Sequence, residues 1–178
     1  TLTLKRNGFD YATQSFSVTI FPNTLVSTSI TLNTYTVSTV ASYTFSMNLA
    51  NLLAAKSKIV ITLPNQLSIS NGVCTASLSA LSSPSSVNSS FTCGVTVNRV
   101  ITLSSINTNT LQKGEKLTIT ISGILNSQST KPTDAFSIYT YYGETTTNPT
   151  DSSLDQTVTM SAITIGVASV SSSSPRVG

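Results

Sequence analysis

Residues 43–49 read YTFSMNL, and residues 58–64 read KIVITLP. In the first, Tyr43, Phe45, Met47 and Leu49 alternate with Thr44, Ser46 and Asn48. In the second, Ile59, Ile61 and Leu63 alternate with Val60 and Thr62. A period of two puts one set of side chains against a core and the other in water, which is how a strand covered on one face reads. The β-branched and aromatic content suits a pleated, half-buried surface. Pro64 has no N–H to give to a ladder and stops the second strand.

The same period recurs along the chain. Phe91, Cys93, Val95 and Val97 alternate with Thr92 and Thr96. Leu117, Ile119 and Ile121 form a fourth series that ends at Gly123, and Phe136, Ile138 and Thr140 a fifth. Val158, Met160 and Ala162 close it. Between the series stand turn formers: Asn71-Gly72, Lys113-Gly114 and Asn148-Pro149. ANLLAAK (50–56) reads as a helical turn or loop, and ALSSPSSVNSS (80–90) as a flexible loop. Seven or more short strands with turn signals predict an all-β sandwich with antiparallel connections.

Composition narrows the functions. Charged residues make up 8% of the 178 residues, against roughly 25% in ordinary soluble domains, while roughly a third of the chain is Ser or Thr. Hydroxyls that keep strand faces wet, with few charges, predict an extracellular or cell-surface protein. No apolar run approaches the ~20 residues of a spanning helix, so no membrane span is expected. The chain begins TLTLKR, without Met or an apolar leader, and reads as a processed or excised segment. The net charge of +3 is scattered over nine Lys and Arg. A nucleic-acid binder clusters such residues and interleaves aromatics, so no nucleic-acid partner is expected.

Two cysteines, Cys74 and Cys93, stand without any histidine or third cysteine to complete a zinc shell. In an extracellular β-domain the pair reads as a disulfide, with two free buried thiols as the alternative. Asn88-Ser89-Ser90 is a glycosylation sequon in a Ser-rich stretch, where chance also produces one.

The order of pieces carries a resemblance. ASYTFSMNLANLLAAKSKIVITLPNQL (41–67) is followed by the cysteine pair, then by ITLSSINTNTLQKGEKLTITISGILNS (101–127) and AFSIYTYYG (135–143). That order resembles a repeated β-sandwich module in large surface proteins of ciliates and other aquatic microbes, over roughly residues 25 to 166. The loop before Lys58 lacks the glycine such modules carry there. The resemblance implies an Ig-like extracellular module without enzymatic activity, and names no ligand.

SFSVTIF (15–21) and TVTMSAITI (157–165) look like two versions of one strand. A shift of about 140 residues also sets Leu25 on Ile165, Ile30 on Val170 and Val37 on Val177. Residues 1 to 22 then read as an N-terminal extension, 23 to 166 as the sandwich, and 167 to 178 as a Ser-rich tail or linker. In pilus-type donor-strand complementation a terminal strand completes a neighbouring subunit, giving backbone hydrogen bonds and apolar side chains at alternate positions. Phe16, Val18 and Ile20 would fill such a groove. Leu2 and Leu4 would add a second short segment across an Asn7-Gly8 turn. The plain alternative makes residues 11 to 21 the first strand of their own sandwich.

Catalytic chemistry is sparse. There is no histidine, the usual general base and metal ligand. Asp134, Glu144, Asp151 and Asp155 lie close in sequence and allow a calcium site on paper, but their spacing matches no EF-hand, and solvated loop acids are the better reading. No serine stands in a nucleophile-elbow pattern. No cofactor or metal is therefore expected, and no enzyme. Tyr139, Tyr141 and Tyr142 suit a sugar-binding face or ordinary packing. Two functions follow. One is a structural subunit or repeat of an extracellular filament or surface layer, with copies of itself as partner. The other is an adhesive module for glycan or a cell-surface protein. The expected absence of enzymatic chemistry fits both.

Overall fold

In a computed structural model of the chain, the described residues are 2–6, 9–14, 21–96, 99–144 and 147–164. The architecture is an all-β, Ig-like antiparallel sandwich preceded by a separate hairpin. Strands β1 (Leu2–Arg6) and β2 (Phe9–Gln14) pair with each other, Leu2 opposite Gln14 and Leu4 opposite Ala12, as a two-stranded sheet. The sandwich begins at β3 (Asn23–Thr24) and β4 (Val26–Leu32). It continues through β5 (Val40–Asn48), β6 (Lys58–Thr62), β7 (Ser68–Ile69), β8 (Thr75–Ala80), β9 (Thr92–Thr96) and β10 (Val100–Ser104). It ends with β11 (Lys116–Leu125), β12 (Ser137–Tyr141) and β13 (Asp151–Ser153).

One sheet has the order β3-β13-β12-β6-β10-β9; the other runs β4-β5-β11-β7, with β8 also pairing β11. Every ladder is antiparallel except β3 with β13. The period-two series fall where the alternation places them. Ala41, Tyr43, Phe45 and Met47 from β5, beside Leu117, Ile119 and Ile121 from β11, face Ile59 and Ile61 from β6 and Ile101 and Leu103 from β10, all buried. Tyr43, Phe45 and Phe136 form an aromatic cluster between the sheets, with Phe45 edge-on to Phe136 at 5.7 Å, a favoured ring geometry. In β11 the register slips by one residue between Ile121 and Ile124. Gly123, at φ +83°, absorbs that bulge.

Two local readings change, and one resolves. ANLLAAK is a loop and not a helical turn: Leu53 is buried and exchanges backbone hydrogen bonds with Leu111, each N–H donating to the other carbonyl at 2.9 Å. The 80–90 stretch is built rather than slack, with a 3₁₀ turn at Pro84–Ser86 and a bridge from Val87 to Asn107. Residues 157–164 form no ladder. Val158 and Met160 are buried as the alternation predicts, but Ala162 and Ile163 are exposed. The segment is held at two points: Val158 exchanges two bonds with Thr133, and Ser161 forms an isolated parallel bridge opposite Thr36 through bonds to Tyr35 and Val37. Its backbone crosses from one sheet's side to the loop after β4, and so cannot follow either edge for long.

Candidate functional site

The chain enters the sandwich by changing sheets. Asn23 and Thr24 pair in parallel with Asp151 and Ser152; Leu25, buried, turns the backbone; Val26 then opens the pairing with β5. Switching sheets closes that corner of the sandwich. The corner position of a first strand is thus filled by residues 23–32. Of the stretch weighed as an alternative first strand (11–21), residues 11–14 belong to the hairpin. Phe16, Val18 and Ile20 lie outside the described residues, and Leu2 and Leu4 are backbone-paired within β1.

The opposite corner is closed covalently. Cys74, just before β8, and Cys93, within β9, form a disulfide with Cα atoms 5.6 Å apart. Because β8 belongs to the five-stranded sheet and β9 to the six-stranded one, the bridge staples the two sheets rather than only tying the base of a loop. Alternation placed Cys93 in an inward row, made no statement about Cys74, and carried no information on which sheet each joins.

Asn88 is half-buried. Its Nδ2, the atom a glycan would occupy, donates to the Ser105 carbonyl at 2.8 Å, and its Oδ1 accepts from Ser90 N–H at 3.0 Å. The side chain holds the 3₁₀ loop against the strand end.

Acids do not gather. Asp134 accepts from Gln66 Nε2 at 3.0 Å. Glu144 accepts from the Ser105 hydroxyl. Asp155 is exposed and accepts from Gln156 and Ser153, which hold its carboxyl below the ordinary range. Asp151 is fully buried and accepts from Asn51 Nδ2 at 2.8 Å. Among the described residues, no three His, Cys, Asp or Glu side chains come together as a metal site. A cleft of about 400 Å³ at the sheet switch is lined by Asn23, Val26, Asn48 and Lys113.

The outer face of the six-stranded sheet carries the tyrosines. Register sets Tyr139 opposite Val60, Val60 opposite Thr102 and Thr102 opposite Gly94. In the next row Tyr141 stands opposite Lys58, whose Nζ lies 4.6 Å from the tyrosine ring centroid and donates to the Glu144 carbonyl at 2.9 Å. Burial, then the neighbouring Tyr139, pushes the Tyr141 hydroxyl above its usual range. Tyr142 is exposed beyond the strand.

No protein-family model and no curated protein matches the sequence. Among solved structures, the chain is similar to a collagen-binding domain from a Staphylococcus aureus adhesin: TM-score 0.43, 10% identity, covering 80% of this chain and 99% of that one. It is similar to the pilus backbone of Streptococcus pneumoniae at TM-score 0.40 and 12% identity, over 67% of this chain but only 29% of that one. It also matches a macrocyclization enzyme of alchivemycin A biosynthesis at TM-score 0.33 and 9% identity, covering 96% of this chain and 99% of that one. At these identities and scores the likenesses carry no functional inference. No helix among the described residues is long and apolar enough to cross a membrane.

Proposed function

We propose that the chain is a structural subunit or repeat of an extracellular filament or surface layer, in which an N-terminal strand of one copy completes another. The observation that carries this reading is the filling of the first-strand corner by Asn23–Leu32, while among the described residues the hairpin before it forms a two-stranded sheet of its own. Residues 15–21 then stand in sequence between two independently paired units. They carry the alternation of a strand, with Phe16, Val18 and Ile20 as the apolar row and Leu2 and Leu4 in the added segment. Head-to-tail contacts that do not close on themselves propagate as filaments. On this reading residues 1–22 are the donating extension, 23–166 the sandwich, and 167–178 a linker. The inter-sheet disulfide suits an oxidising, extracellular setting, and the protein acts as a building block rather than an enzyme.

The test is a deletion of residues 1–22. The remainder should stay folded by circular dichroism yet fail to form the polymer that the full chain forms in negative stain. Unfolding on deletion would return residues 15–21 to their own sandwich. A full chain that runs only as a compact monomer in light scattering ends the proposal.

A second reading rests on the paired Tyr139 and Tyr141 beside Lys58 on an open sheet face. That surface suits an adhesive module for glycan or a cell-surface protein. Glycan-array binding lost in Tyr141→Ala, with melting unchanged, favours it.

A further inference from the structure

Strand donation requires an acceptor, and the sandwich offers unequal edges. The β4 edge is interrupted by a register shift between Val26 and Ser29, with Ser27 at φ 51°. The β3 and β7 edges are two residues long. Bulges and short edges are ways in which sheets avoid adding strands. The β8 and β9 edges have neither device. Their sequences, TASLSA and TCGVT, contain no charge and no proline, and β9 pairs with β10 through five consecutive residues without a break.

The flank beside these strands is also the thinly covered side of the core. Inward residues of β5, β6, β10 and β11 are at most 3% exposed. By contrast Ala76, Leu78, Cys93 and Val95 are only partly buried against the same core. Outward on β9 stands Gly94, exposed, with open space where a Cβ would project and no positive φ. Nothing among the described residues calls for glycine there, and a glycine in a strand often marks the close approach of another backbone.

We infer that the outer edge of β9 accepts residues 15–21 of a second copy, extending the six-stranded sheet and covering the flank above Cys93, Val95 and Leu78. The inference rests on the strand-donation reading and adds the acceptor to it. The donor's seven residues span the five of β9 with one to spare at each end. Its apolar row meets the half-buried row, and Ser15, Ser17 and Thr19 fall beside Thr92, Gly94 and Thr96. The same chain cannot fill this edge. Five strand spacings separate β3 from β9, about 24 Å at ~4.8 Å each. The three steps from Ile20 to Asn23 span at most about 10 Å. The occupant therefore comes from another molecule.

The experiment uses full-length chains. Gly94→Lys and Thr92→Lys each place a charge on the β9 edge, at exposed positions; Thr31→Lys does so on the β4 edge; Phe16→Lys disables the donor. The β9 variants and Phe16→Lys should lose all sedimenting polymer, while Thr31→Lys assembles like the parent. Mixing Gly94→Lys with Phe16→Lys should double the mass in light scattering, because one still donates and the other still accepts. If both β9 variants polymerise normally while Phe16→Lys does not, the edge assignment is overturned and donation stands. If Phe16→Lys also polymerises normally, both are overturned.

Discussion

The Tyr43 hydroxyl donates to Asn126 Oδ1 at 2.7 Å, inside the sandwich and 83 residues away in sequence. Asn126 passes the contact on, its Nδ2 donating to the Thr36 carbonyl at 2.8 Å and the Thr34 carbonyl at 3.1 Å. One buried amide thus fixes the 33–39 loop to the end of β11. Removing one partner strands the other, which costs about 1–3 kcal/mol for a buried polar group. Tyr43→Phe should lower stability by about that amount in urea titration, and Asn126→Ala by more, since it frees two carbonyls as well.

The same hydroxyl sets an alkaline limit. Burial, with a smaller contribution from Tyr35, pushes it well above its usual value of 10.0. The unfolded chain releases this proton above about pH 10 while the folded chain retains it. Stability is therefore whole below pH 10 and falls as pH rises beyond it. Melting followed from pH 8 to 11.5 should show the decline, and Tyr43→Phe should shed the part due to this group.

Reduction of Cys74–Cys93 should destabilise the domain by about 3 kcal/mol, the loop-closure expectation for a bridge of this span. Cys74→Ala with Cys93→Ala, compared with the parent by calorimetry with and without reductant, checks it: the parent's melting temperature should fall in reductant and the double variant's should not move.

Asn51 is the polar cover of a fully buried carboxyl. Its backbone N–H and Nδ2 both donate to Asp151, at 3.3 and 2.8 Å. Asn51→Ala should cost about 1.5–3 kcal/mol, and replacing the carboxyl with an amide, Asp151→Asn, in the same chain should recover part of it. Chemical denaturation of the two single variants and the double variant measures the coupling.

Much of the sandwich was legible from alternation alone. Tyr43 to Leu49, Ile59 to Leu63, Leu117 to Ile121 and Phe136 to Thr140 face the core as their period dictates. Such inward rows report burial directly. Strand β8 was not legible, because in TASLSA only Leu78 stands among small side chains and the contrast between faces is weak. Nor was the sheet switch at Leu25, where a single buried residue does the turning. Residues 157–164 misled for the opposite reason: the alternation at Val158 and Met160 is real, but burial there comes without a ladder. The roles of Asn126, Asn51 and Asn107 depend on partners about 50 to 100 residues distant, which no local pattern encodes.

The parallel pairing of β3 with β13 has a mechanical consequence. The entering strand and the leaving strand run side by side in one direction, so the chain comes in at one end of the sandwich and departs toward the other. A pull along the chain draws the two strands past each other lengthwise. The Asn23 N–H bond to the Thr150 carbonyl, the Leu25 N–H bond to the Ser152 carbonyl and the Val37 bond to Ser161 then bear the load together in shear instead of unzipping one after another.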